Sequence, residues 1–146
     1  MDLVKFLNQV TSGHLLAWKV AAASVVFALA GLQVMTAARF WAHAPLAGIS
    51  PRAAVRIHRT SGRAALILSV AVGLACLVGP AGPVSPTRVL LHSIFGTLLF
   101  AALAVKFGLL KLVRGGERYI PVAGITLFLT FSAIWATSVA DYVSAR

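Results

Sequence analysis

Acidic side chains are nearly missing from this chain, which has three Asp and Glu residues against 13 Lys and Arg among 146 residues. Asp2, Glu117 and Asp141 all stand at or beyond the ends of apolar runs. No histidine is placed with a carboxylate and a nucleophile, which disfavours hydrolytic and acyl-transfer enzymes. Without a carboxylate or broken half-helices inside the apolar runs, a transporter or proton channel that uses Lys106 and the histidines as a relay is also disfavoured.

Cysteine is limited to Cys76, which lies inside an apolar run. A single cysteine excludes an intrachain disulfide and an all-cysteine metal site. Nucleotide- and flavin-binding motifs are also missing from the sequence, so the chain by itself has no means of accepting hydride. An electron-transfer subunit of an oxidoreductase is therefore the most that the sequence allows as a role in an enzyme.

Apolar residues dominate what is present: 60% of the chain is hydrophobic and 11% is charged. This balance suits lipid better than water as the surrounding solvent. The net charge of +10 would suggest nucleic acid if the basic residues formed a solvated stripe, but they cluster at the ends of the apolar runs. We therefore predict a single all-α domain, residues 1–146, that forms an integral membrane four-helix bundle and binds no nucleic acid.

Proline and glycine mark where the predicted helices begin and end. Ser50-Pro51 and Ser85-Pro86 each combine an N-cap residue with proline at the first helical position. No helix continues through Gly79–Pro83, and Arg114–Arg118 is typical of a turn between antiparallel helices. The segment Met1–Ser12 is predicted to be a short interfacial amphipathic helix. The predicted membrane spans are about 14–41, 51–79, 86–113 and 119–142.

Basic residues are distributed unequally between the two sides of the predicted bundle. One side collects Arg39, Arg52, Arg56, Arg59, Arg63, Lys106, Lys111, Arg114 and Arg118. The other side has Lys5, Lys19, Arg88 and Arg146. By the positive-inside rule the first side is cytoplasmic, so both termini are expected on the non-cytoplasmic side. We expect a multi-pass protein of a bacterial inner membrane.

Two histidines recur in the same local pattern. Ser-Pro is followed by His58 and Gly62 in the second span and by His92 and Gly96 in the third. A glycine four residues after a histidine places an imidazole and a bare backbone patch on one helix face, which suits a flat macrocycle. The stripe through His58 continues with the small residues Gly62, Ala65, Ser69, Gly73 and Cys76. A helix–helix seam without any ligand explains such a stripe equally well.

Ionisable residues inside hydrocarbon are costly and need partners, and the carboxylates are too few to supply them. A bound anion is the economical solution, and haem b brings two propionates together with an iron that takes imidazole ligands. Depth along antiparallel helices groups the candidate iron ligands into His14 with His92 and His43 with His58. Each pair offers a site, so one or two haems are expected, although His14 and His43 also suit plain interfacial positions.

Further candidates surround the two intramembrane histidines. Lys106 lies at the depth of His58, where it is predicted to contact a propionate or to act as a ligand. Arg59 and Arg63 are either propionate-binding residues or cytoplasmic anchors. The complete predicted cofactor-binding set is His58, His92, Gly62, Gly96, Arg59, Arg63 and Lys106.

The string Arg56–Ala64, which contains His58, resembles the HR-x-x-GR signature of small bacterial four-helix membrane proteins distantly similar to the cytochrome b561 and ferric-reductase-like group. The similarity extends over Leu91–Gly96, Lys106 and the segments Pro121–Gly124 and Trp135–Ser138. The resemblance implies transmembrane b-type haem and electron transfer. It also implies that His58 and His92 match the intramembrane histidines of that group.

Two functions of different classes follow from these observations. The first is a haem b-binding transmembrane electron-transfer protein, such as the cytochrome subunit of a larger membrane redox complex. Its expected partners are the lipid bilayer, protein subunits or further copies of the chain, and quinone. The alternative is a haem-free structural or accessory subunit that packs through the small-residue stripe and binds lipid with its basic side chains.

Overall fold

The computed structural model of the chain describes residues 3–41, 48–78 and 85–144. These residues form five α-helices and one 3-10 turn and no strand: α1 Leu3–Val10, α2 Leu15–Trp41, α3 Pro51–Val78, α4 Pro86–Lys111, the turn Gly116–Tyr119, and α5 Ile120–Ser144. Four of the helices are long and apolar enough to cross a membrane. The predicted all-α bundle of four membrane-length helices is confirmed, with each helix end within two residues of its expected position.

Local capping chemistry starts α3 and α4 as the sequence predicts. The Ser85 side chain accepts a hydrogen bond from the backbone N–H of Arg88, and Pro86 occupies the first turn of α4. In α3 the Ser50 hydroxyl accepts from the backbone N–H of Ala53 at 3.2 Å. These bonds satisfy backbone donors that have no partner inside the helix.

The turn between α4 and α5 is tight. Leu112 caps the end of α4, and its backbone N–H donates a hydrogen bond to the carbonyl of Gly108 at 2.8 Å. Gly115 has a φ of 73°, a left-handed conformation that favours glycine. Gly116 then packs directly on the backbone carbonyl of Leu109, which leaves no room for a Cβ atom. This close approach folds α5 back along α4.

The helices are held as an antiparallel bundle in which α2 contacts both α3 and α5, and α4 contacts α5. The α2–α5 contact is aromatic: the ring of Phe27 stacks on Trp135 at 4.7 Å and on Phe128 at 5.9 Å. The Trp135 indole N–H also donates to the Ser24 hydroxyl at 3.0 Å. By contrast, the backbones of α3 and α4 come close to each other at few points in the described residues, so a gap bridged by side chains separates them.

Large apolar side chains cover the outside of the bundle. Ile67 is 70% exposed and Leu77 is 85% exposed, which is unfavourable in water but suits contact with lipid tails. The chain is therefore a multi-pass membrane protein. We call the end that holds the start of α3 and the α4–α5 turn the arginine end, and the end that holds the starts of α2 and α4 the opposite end.

Candidate functional site

A cavity of about 710 Å³ lies between α3 and α4. It is in the half of the bundle nearer the opposite end, where α2 and α4 begin. Side chains from α2, α3, α4 and α5 line it, and most of its wall is apolar. The polar groups that reach it include Lys19, Arg88 and His92. A cavity of this size with a few convergent polar groups is typical of a site for a small molecule or cofactor.

His92 is presented to the cavity by the second turn of α4 and is oriented by α5. Its Nδ1 atom lies 3.3 Å from the hydroxyl of Ser138. Since Nδ1 has this partner, the second ring nitrogen, Nε2, is the one left for a ligand. This arrangement matches the way proteins orient metal-binding histidines, in which the nitrogen away from the metal is hydrogen-bonded.

Positive charge is concentrated around His92. The guanidinium of Arg88 donates to the backbone carbonyls of Thr137 and Ser138, which ties the start of α4 to α5. Lys19 of α2 is 9% exposed and interacts electrostatically with His92. Both side chains already have partners within the described structure, and together they bring positive charge to this part of the cavity wall. The cavity is therefore suited to a ligand with an acidic group.

Glycine shapes both walls of the cavity. A Cβ atom on Gly73 of α3 would lie 2.7 Å from Cζ of Phe100, so this ring rests on the bare backbone of α3. A Cβ atom on Gly96 of α4 would meet nothing within 4 Å, which leaves open space one turn from His92. The small-residue stripe of α3 thus borders the cavity at Gly73.

The second candidate histidine, His58, lies outside this cavity in a network between α2 and α3. Thr36 donates its hydroxyl proton to the carbonyl of Leu32 at 2.7 Å, and its oxygen lies 3.0 Å from Nδ1 of His58. This contact ties the His58 ring to α2. The ring also meets Phe40 edge-on, with ring centroids 5.2 Å apart.

Gln33 of α2 completes this network. Its side-chain N–H groups donate to the backbone carbonyl of His58 at 2.7 Å and to the Ser61 hydroxyl at 2.6 Å. Gly62 makes room for the amide, since a Cβ atom there would lie 3.0 Å from its Oε1 atom. Lys106 of α4 is half-buried and interacts electrostatically with His58. His58 and Gly62 therefore lie in the contact between α2 and α3.

The remaining predicted site residues are dispersed. His14 is exposed in the turn before α2, with Nδ1 2.8 Å from the carbonyl of Ser12, and does not line the cavity. His43 lies outside the described residues. Arg59 and Arg63 line a separate concavity on α3. The structure thus brings His92 and Gly96 together at the cavity and His58, Gly62 and Lys106 into a second group.

Depth along the helices predicts that His14 and His92 form a pair of iron ligands. Of these two histidines, the cavity is lined by His92 and not by His14. Within residues 3–41, 48–78 and 85–144, no group of three or more His, Cys, Asp and Glu side chains is placed to hold a metal ion. Sequence reasoning missed Gln33, Thr36 and Ser138 as partners of the histidines. Their signal is a polar residue within an apolar run, at the depth of a histidine on a neighbouring helix.

Comparison with known proteins identifies a family but no function. No curated protein and no solved structure matches the chain. Residues 4–145 match the family model described as "Family of unknown function (DUF6529)". That description mentions no ligand, activity or partner, and the match covers all four membrane-length helices. The chain therefore belongs to the DUF6529 family of unknown function.

Proposed function

We propose that this chain is a haem b-binding transmembrane electron-transfer protein, and that the haem lies in the cavity between α3 and α4 with His92 as its iron ligand. The observation that carries the proposal is the convergence of one imidazole and two basic side chains, Lys19 and Arg88, on one apolar cavity. The resemblance of the sequence around His58 and His92 to the cytochrome b561-like group supports the same chemistry.

The residues of the cavity fit this cofactor in three respects. The apolar wall and the open space at Gly96 suit the face of a flat macrocycle. Nδ1 of His92 is oriented by Ser138, so Nε2 is available to iron. Lys19 and Arg88 offer positive charge to the propionates. Bound haem supplies one-electron redox chemistry, and the protein sets its orientation and shields it from water.

The described part of the cavity wall contains one histidine, so we propose a single haem held by one imidazole rather than two paired sites. The arginine end is proposed to face the cytoplasm of a bacterial cell, by the positive-inside rule. The haem then lies towards the non-cytoplasmic side. From there it would exchange electrons with quinone or with another subunit of a membrane redox complex.

Filling the cavity tests this location. Leucine in place of Gly96 would project into the open space beside His92, so we expect Gly96→Leu to weaken haem binding about tenfold or more, because overpacking costs about 1–3 kcal/mol. Gly108→Leu is the matched control, since Gly108 is also on α4 with open space around it but does not line the cavity. Haem retained per chain after purification is the measurement. Equal retention in both variants would contradict the location.

A haem-free accessory subunit is the second candidate function. The cavity is partly open and mostly apolar, and its walls are suited to an acyl chain whose acidic head lies near Lys19. A colourless protein that remains colourless when haem is supplied, and that co-purifies with a fatty acid or lipid, would favour this second function.

A further inference from the structure

Four arginines form a continuous ridge on one face of α3 at the arginine end. Arg52, Arg56, Arg59 and Arg63 are spaced four, three and four residues apart, the spacing that keeps side chains on one helix face. All four are exposed. Together with Val55 and Thr60 they line a concavity of about 390 Å³.

The protein itself offers little to neutralise this ridge. Within the described side chains Glu117, in the turn before α5, is the one carboxylate. Like charges three and four residues apart on a helix repel each other, so four unneutralised guanidinium groups would destabilise the first turns of α3. An external anion relieves this repulsion, and Arg presents a planar fork of donors that matches phosphate oxygens.

The depth of the ridge identifies the anion as a lipid head group. The apolar part of α3 runs from Ala64 to Val78, directly after Arg63. A bilayer span of about 20 residues, counted back from Val78, reaches Arg59. The long side chain of Arg63, one turn further in, extends back to the same level, which is the depth of the lipid phosphates. We propose that the ridge is a binding site for the phosphate head group of an anionic phospholipid. This proposal is independent of haem, because none of the four arginines lines the cavity at His92.

The test compares two double variants at the same end of the bundle. Arg59→Gln with Arg63→Gln removes half of the ridge, and Lys111→Gln with Arg114→Gln removes two charges near the α4–α5 turn. Phosphatidylglycerol is titrated against the detergent-purified protein, with phosphatidylcholine as the zwitterionic reference, and bound lipid per chain is counted by native mass spectrometry. We expect the ridge variant to bind phosphatidylglycerol about 100-fold more weakly, because each of the two arginines is expected to make a charge-assisted hydrogen bond to the phosphate that contributes about tenfold.

The control variant is expected to bind phosphatidylglycerol within about threefold of the unmodified protein, because its two basic residues lie outside the ridge. Equal losses of affinity in both double variants would overturn the proposal, since general surface charge would then explain the binding of phosphatidylglycerol. Displacement of the lipid by millimolar inorganic phosphate would also overturn it in favour of a soluble phosphate anion. Haem content measured in the same samples is expected to be unchanged in the ridge variant, which separates this site from the cavity.

Discussion

Replacing His92 with alanine is expected to abolish haem binding while leaving the bundle folded. The variant removes the imidazole of the described cavity wall, and neither of the other two described histidines, His14 and His58, lines the cavity. We expect haem affinity to fall by more than about 100-fold, since losing a group that only orients a ligand already costs about 10- to 100-fold. The measurement is haem bound per chain in a titration of the haem-depleted protein, followed by visible absorbance.

Two other histidine variants serve as matched controls for His92→Ala. His14→Ala changes an exposed turn, and His58→Ala changes the network with Thr36 and Gln33; neither residue lines the cavity. Both are expected to keep haem close to the wild-type level. Helical circular dichroism reports folding of all three variants. Loss of haem from a folded His58→Ala protein, with retention in His92→Ala, would place the haem at the other end of the bundle.

Alanine at Gly116 is expected to have the largest effect on folding. A Cβ atom there would collide with the backbone carbonyl of Leu109, and a backbone atom within α4 cannot turn aside as a flexible side chain can. The α4–α5 turn must open, which disturbs the packing of the 3-10 turn on α4 and α5. We expect a loss of about 1–3 kcal/mol in the free energy of unfolding, the range for overpacked sites. Thermal or denaturant unfolding in detergent measures it.

Gly124→Ala is the control for the turn variant. Gly124 lies inside α5, and a Cβ atom there would meet nothing within 4 Å. Since alanine favours a helix over glycine by about 1 kcal/mol, this variant is expected to be neutral or slightly more stable. A Gly116→Ala protein as stable as Gly124→Ala would show that the turn tolerates a side chain and that the close approach to α4 is not required.

The fold can be predicted from the sequence largely because its signals are local, each acting within a single helix. Apolar runs of membrane length predict the four spans, and the Ser-Pro pairs before α3 and α4 cap the helices as expected. Near the α4–α5 turn, α4 ends before its predicted position because Leu112 closes it, and α5 begins after its predicted position because a 3-10 turn at Gly116–Tyr119 precedes it. The far end of α5 extends to Ser144, also beyond the prediction. A 3-10 turn has no hydropathy signal of its own, so the sequence does not separate it from the helix that follows.

The site depends on lateral packing, which depth along a helix does not determine. The small-residue stripe of α3 predicts close contacts, and the structure divides them between two neighbours, Gln33 at Gly62 and Phe100 at Gly73. Likewise, equal depth suggested that His14 faces His92, but the helix of α2 begins only at Leu15. The gap between α3 and α4 arises from how three helix pairs pack, and no periodicity in one helix predicts it.

The most direct test of the proposed haem site is a dithionite-reduced minus oxidised visible spectrum of the detergent-purified wild-type protein, with haem per chain measured as the pyridine haemochrome. A b-type spectrum and one haem per chain are expected, because one cavity lined by one histidine fits the cofactor. A protein that stays colourless after haem is supplied would contradict haem binding. Two haems per chain would contradict the single site at His92.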